Sequence, residues 1–319
     1  MIDKLAAWQS RKSRIPFEMF DLARNADEAR RMDKLRHIYH RGQDLAWDGR
    51  DVLAELLAKH GGVKVAPEHA TAIGRVFEII LWGELAAWKI SAELADQIVP
   101  LEAKMAATAQ AHDEARHFYT MFDYLRAIGY TPTRIDPYSQ RVLDLTLGAR
   151  SLVQKILGMQ LMLETIALTI FAEVRESRVE PVLADLLHYY EKDEARHVGL
   201  GTQFLPTLMR GQTNLQAADT MWFQARLIFW STASLKAVEK DLHVLGIEAP
   251  HLIERGKRIQ GKAYAEMWEQ LGGAPPSAEW INRVLNGVDH AVFPGVGVPV
   301  DLPGRVRRFV EGVRAPLPV

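Results

Sequence analysis

A chain of 319 residues with 48% hydrophobic side chains can bury a substantial core, and its 25% charged residues give no sign of disorder. Its 39 basic and 40 acidic side chains leave a net charge of -1, which supplies no long-range attraction to nucleic acid or an anionic membrane. There is no cysteine, so disulfides, thiolate metal sites, cysteine nucleophiles and iron–sulfur clusters are excluded, and any metal must be held by His, Asp or Glu.

Residues 1–13 carry Asp3, Lys4, Arg11 and Lys12 and lack the apolar stretch and cleavage site of a secretory signal, which predicts a cytoplasmic protein. Residues 26–60 read as one helix of mixed charge, stopped by Gly61 and Gly62 after the basic turn Lys59-His60. Pro67 opens a second helix that runs to about residue 98, and after Pro100 a third continues to Ile128 and Gly129. Residues 130–138, with two prolines in nine positions, read as a loop. Further helices cover about 150–175, then Pro181 to about Leu205 just before Pro206, then 214–245 and 251–271. No segment alternates with a two-residue period, so the chain reads all-α. The longest apolar runs, 79–90 and 161–172, are each broken by a carboxylate and fall short of the ~20 residues of a membrane span, so they read as buried core and no membrane is expected. Residues 287–319, with five prolines and with four glycines between 295 and 312, predict an arm lying on the bundle or on the second subunit of a homodimer.

The pentapeptide Asp-Glu-Ala-Arg-His occurs at 113–117 and again at 193–197. The same 80-residue offset aligns Glu84 with Glu164, Ile90 with Ile170 and Glu93 with Glu173, so the chain is internally duplicated here. In each half, 30 residues separate the first Glu from the Glu of the pentapeptide. A helix rises ~1.5 Å per residue, so about 15 residues up and about 15 down return the chain to the same depth. Pro100 and Pro181 fall where those turns are needed. Each half is therefore an antiparallel helix pair that sets one Glu opposite a Glu-x-x-His.

Glu and His three residues apart share one helical face, so Glu114 with His117 and Glu194 with His197 can each grip one metal, while Glu84 and Glu164 close or bridge the pair. Four carboxylates offset the charge of two divalent ions. Taken alone, a Glu-x-x-His is an ordinary solvated helix face; here it recurs with matched upstream carboxylates. Glu164 stands in Leu-Met-Leu-Glu-Thr-Ile-Ala-Leu, where an unpaired ionised carboxylate would cost several kcal/mol. Glu84 makes the same argument. The structural alternative is a buried Glu–Arg–Glu network using Arg116 and Arg196. An Asp one residue before a ligand Glu can reach a ligand His on a neighbouring helix. That gives Asp113 with Arg196 and Asp193 with Arg116 supporting roles, with surface ion pairs as the other reading. His112, His188 and His243 show no partner spacing.

Two copies of Glu-x29-Asp-Glu-x-Arg-His resemble the metal-binding signature of bacterial multicomponent monooxygenase hydroxylases. They are similar, more widely, to the ferritin-like set that includes acyl-carrier-protein desaturases, ribonucleotide reductase small subunits, R2-like ligand-binding oxidases and arylamine N-oxygenases. The resemblance covers about 78–205. It implies an all-α, ferritin-like four-helix bundle with added flanking helices: one domain over 1–286, a metal-binding core at about 67–210, and the arm at 287–319. Departures narrow the choice. Met121 stands where reductase small subunits keep a radical Tyr, and Tyr190 where the N-oxygenases add a seventh ligand His. Gly158-Met159-Gln160 offers no Tyr for the covalent link of the R2-like oxidases. About a hundred residues beyond the last ligand helix distinguish the chain from shell-forming ferritins.

The resemblance implies an oxygen-activating oxidoreductase in which two Fe ions, with O₂ as co-substrate, act on a small aromatic or acyl molecule; Mn/Fe or Mn/Mn would suit the same ligands. Without cysteine or a nucleotide-binding motif, electrons must come from a separate reductase. The alternative is an R2-like ligand-binding oxidase or a ferroxidase that handles metal without organic turnover. Trp88, Met121, Leu168 and Phe171, within a turn or so of ligands, together with Tyr190 and Gly201, are expected near the substrate space. Gly199 and Gly201 either open that space or allow close helix packing.

Overall fold

The computed structural model describes residues 22–272 and 279–316, among which there is helix and loop but no strand. The N-terminal stretch 1–13 and the last residues of the expected arm lie outside that range.

The region expected as one helix is three: α1 Leu22–Arg31, α2 Asp33–Asp44 and α3 Gly49–His60. The chain breaks before α3 because Asp48 turns its carboxylate onto the amides of Arg50 and Asp51 as an N-cap. Trp47 is meanwhile drawn inward to Asp193, 2.8 Å away. Gly61, with φ 67, ends α3 in the left-handed region.

Helices α4 (Pro67–Gln97) and α5 (Leu101–Ala127) follow as an antiparallel pair. The stretch read as a loop gives way at Pro137 to α6 (Pro137–Leu147), because Asp136 caps it and Pro137 fills the first position, where its missing N–H costs nothing. A second antiparallel pair is α7 (Leu152–Ser177) and α8 (Pro181–Met209). Helix α8 runs on through Pro206, three residues from its end, so the loss of one backbone bond is confined to the last turn. Long helices α9 (Asn214–Val244) and α10 (Ala249–Gln270) flank the bundle, α9 on α4 and α6, α10 on α7 and α8. The expected arm is largely helical: α11 (Glu279–Val292) begins before residue 287, and α12 (Leu302–Arg314) starts at the Asp301 cap with Pro303 in its first turn. The two pack chiefly on one another.

Two apolar clusters fill the bundle, one at each end. Along α4, Leu81 belongs to one and Ala86 to the other; along α5, Met121 and Ala107; along α7, Phe171 and Leu161; along α8, Tyr190 and Leu200. Glu84, Glu114, Glu164 and Glu194 each fall between these markers. The four helices therefore carry a polar layer at one level between two apolar slabs. Helix α7 is long and apolar enough to cross a membrane by length and composition, but most of that window is buried inside the bundle.

Candidate metal centre

All six predicted ligands converge in the polar layer. Glu114, His117 and Glu194 are fully buried, His197 is 2% exposed, and Glu84 and Glu164 are each 4% exposed. They form two groups, Glu84/Glu114/His117/Glu194 and Glu114/Glu164/Glu194/His197, whose ligand atoms lie within 4.8 Å of one another. Glu114 and Glu194 belong to both. His117 Nδ1 sits 3.1 Å from Glu194 Oε1, 3.4 Å from Glu84 Oε2 and 3.5 Å from Glu114 Oε2. His197 Nδ1 mirrors it, 2.9 Å from Glu194 Oε2, 3.0 Å from Glu114 Oε1 and 4.0 Å from Glu164 Oε1.

Each imidazole turns its other nitrogen to an aspartate from the opposite half: His117 Nε2 is 3.0 Å from Asp193 Oδ2, and His197 Nε2 is 3.4 Å from Asp113 Oδ2. Arg116 and Arg196 both bridge the two aspartates, at 2.6 and 2.8 Å each. Trp47 also donates to Asp193, and the Arg116 guanidinium lies 4.6 Å over its ring.

Burial pushes the Glu84 and Glu164 carboxyls well above the usual range, reinforced at Glu164 by Glu194 and Glu114. Burial acts the same way on Glu114 and Glu194, yet the adjacent imidazoles reverse it and hold both low. For His117 and His197 burial disfavours charge, but the surrounding carboxylates outweigh it and raise both well above the ordinary value. Protons on the imidazoles thus stand in for positive charge that the acidic layer demands. Even so, Glu114 Oε2, His117 Nδ1 and Glu194 Oε1 are buried without a hydrogen-bond partner. Buried polar atoms left without a partner call for an explanation, and these three, two carboxylate oxygens and an imidazole nitrogen, belong to one cluster, an oxygen and imidazole set that fits hard divalent cations.

Sequence reasoning missed a glutamine network. Gln110, one turn before Glu114, donates to Glu114 Oε1 and Glu164 Oε1, both at 2.9 Å, and accepts from Gln160 at 3.2 Å. The signal was the duplication itself. The 80-residue offset pairs Gln110 with Tyr190, whose hydroxyl donates to the His117 carbonyl at 2.7 Å and whose ring stacks on His117. The two halves are therefore equivalent in ligands and different in surroundings. Gln160 lies on a π-helical stretch of α7, Leu157–Leu163, immediately before Glu164; such wide turns recur at functional sites.

A cavity of about 290 Å³ opens on Glu84 and Glu164. None of the six residues expected to line the substrate space is on its wall. Met121, Phe171 and Tyr190 are wholly buried in the apolar slab that also holds Leu81. A Cβ at Gly201 would meet Gln160 Cβ at 2.8 Å, so this glycine serves close packing of α8 on α7, and Gly199 likewise admits Ile38 of α2. Trp88 and Leu168, four residues after Glu84 and Glu164, miss the wall by one residue step. The wall is instead built at one residue before and three after each carboxylate: Gly83 and Ala87 on α4, Leu163 and Ala167 on α7. A step of one residue turns a helix by ~100°. Gly83 has open space where a side chain would be, so it is the glycine that leaves room beside the cluster.

No family model matches this chain, and no curated protein matches its sequence. Among solved structures it is similar to an R2-like ligand-binding oxidase, a valine-to-isoleucine mutant with an aerobically reconstituted Mn/Fe cofactor. The TM-score is 0.55 and the identity 14%, over 73% of this chain and 93% of the other. That likeness extends to the fold: this chain has a ferritin-like, all-helical architecture with additional flanking helices.

Proposed function

We propose that the protein is a two-metal oxidoreductase that activates O₂ and oxidises a small organic molecule held in the apolar cavity beside Glu84 and Glu164. The observation that carries it is the pair of overlapping four-residue groups, buried, sharing Glu114 and Glu194, and containing three unpartnered ligand atoms. In this reading Glu84, Glu114, His117 and Glu194 would hold one ion and Glu114, Glu164, Glu194 and His197 the other. When bound, the metal pair supplies the redox chemistry with O₂ that amino-acid side chains lack.

The chain's own groups do the rest. Asp193 and Asp113 accept from Nε2 of His117 and His197, which leaves Nδ1 of each ring for the metal. Arg116, Arg196 and Trp47 fix those aspartates and cover that side of the cluster. The largely apolar cavity wall beside Glu84 and Glu164 would orient an apolar substrate. The resident metals are iron, or a manganese and iron pair as in the structural neighbour, and a separate reductase delivers electrons.

Anaerobic reconstitution with ferrous and manganous ions, followed by elemental analysis, tests the reading. Two ions per chain are expected, with O₂ uptake by the reduced protein. Fewer than one ion per chain after reconstitution would end it. Retention of a metal chromophore that responds to small aromatic or acyl molecules separates oxidation from simple metal handling, which would release ferric ion.

A further inference from the structure

The cavity that ends on Glu84 and Glu164 is also bordered by Lys257 of α10 and Asp289 of α11. Its wall is largely aliphatic, including Ile79, Ile166, Ile170 and Leu235. Among the described residues that line it, Lys257 is the only cation. The Lys257 ammonium lies 2.5 Å from Asp289 Oδ2 and 3.4 Å from Asn286 Oδ1. Lys257 and Asp289 also border a second cleft, of about 590 Å³, lined by Glu254, His290 and Arg308 among others. The ion pair therefore stands between an apolar chamber and a second cleft of mixed lining, to which Glu254 and Arg308 add charge of both signs.

We propose that Lys257 anchors the carboxylate of a small organic acid whose apolar body fills the chamber and points toward Glu84 and Glu164. This names the substrate class of the oxidation site and rests on that reading for the fate of the ligand, though not for its binding. The Lys257 side chain is 29% exposed and that of Asp289 17%, so the half-buried ammonium is favoured by a carboxylate partner, at a modest gain that a second carboxylate can match. Asp289 is that partner in the free protein, and an incoming carboxylate takes its place without leaving the ammonium unpaired. The exchange is feasible because Asp289 belongs to the α11–α12 hairpin, which packs chiefly on itself. Once displaced, Asp289 would remain on the border of the outer cleft, which Arg308 also lines. A neutral alcohol lacks the ionic contact, and an amine meets repulsion.

Isothermal titration of the full-length, metal-reconstituted protein with hydrocinnamate, hydrocinnamyl alcohol and the corresponding amine tests this. The acid should bind about tenfold tighter than the alcohol, with the amine weakest. Lys257→Gln should abolish the acid's advantage and leave the alcohol unchanged, and Asp289→Asn, which removes the competing carboxylate, should tighten the acid by about threefold. Equal affinities for acid and alcohol would overturn the proposal, as would an undiminished acid preference in a folded Lys257→Gln protein. In that case the ion pair only tethers the hairpin. Repeating the titrations beside elemental analysis separates the two claims. Acid preference without bound metal would remove the oxidation reading and leave the anchor, whereas two bound ions without acid preference would do the reverse.

Discussion

Glu114 and Glu194 each face both imidazoles, while Glu84 and Glu164 each face one. This difference predicts distinct metal stoichiometries: Glu164→Ala should lose one ion, Glu114→Ala both. A Glu164→Ala protein that still binds two ions would contradict the ligand assignment. Trp47→Phe removes the donor to Asp193 and should weaken metal binding by about tenfold or more with little change in helicity, measurable by competition with a chelator. Gly83→Leu places a side chain in the open space on the cavity wall and should block small-molecule binding while metal loading stays complete. The imidazoles also set a pH dependence. In the metal-free chain the buried carboxylates hold His117 and His197 protonated above the ordinary histidine range, so an entering cation must displace those protons. Metal affinity therefore falls as pH drops, by up to about one decade per pH unit for each proton displaced. Titration in weak buffer should register acid release, and pH-independent affinity would count against imidazole coordination.

Among the helices, α7 carries the most specific device. Its π-helical stretch, Leu157–Leu163, ends immediately before Glu164 and brings Gln160 toward Gln110. Deleting Met159 to restore α-helical winding would rotate the residues on one side of the stretch by ~100° relative to those on the other. The expected result is a helical protein by circular dichroism that has lost the Glu164 ion and the glutamine network. Full two-ion loading in that deletion would show that the wide turn plays no part in aiming the ligand. Some helix boundaries were legible from local signals. Pro67 and Pro181 each sit at a helix start as expected and Gly61 ends α3, whereas Pro137, which also starts a helix, was read as loop. The break between α2 and α3 was missed although Asp48 offered a local cap, and the contact that accompanies it, Trp47 on a residue 146 positions away, has no sequence signal.

For the molecule as a whole, a layer of six titratable side chains between two apolar slabs is a concentrated electrostatic cost, partly relieved by protons when metal is absent. Bound cations would satisfy it and stabilise the folded state by mass action, about 2.7 kcal/mol at a hundredfold excess over the dissociation constant. Thermal unfolding should therefore shift upward on metal addition in the wild-type chain and not in Glu114→Ala. Because α11 and α12 pack chiefly on each other, a chain ended at Gly272 should keep the bundle, its metals and Lys257, and, having lost the competing Asp289, should bind the acid at least as tightly as the full chain.

The duplicated motif with its 30-residue spacing was enough to place six side chains at one level, since helical rise is the same for every sequence and two turns at known prolines close the geometry. Burial of Glu84 and Glu164 was readable too, because their neighbours in the chain are apolar. The cavity was not readable. Which side of each carboxylate faces open space depends on how α9 and α10 pack against the bundle, and a difference of one residue turns a wall into core. The meeting of Lys257 with Asp289, and of Gln110 with Gln160, joins residues whose separation in the chain carries no periodic signal. Only the packed helices decide those contacts.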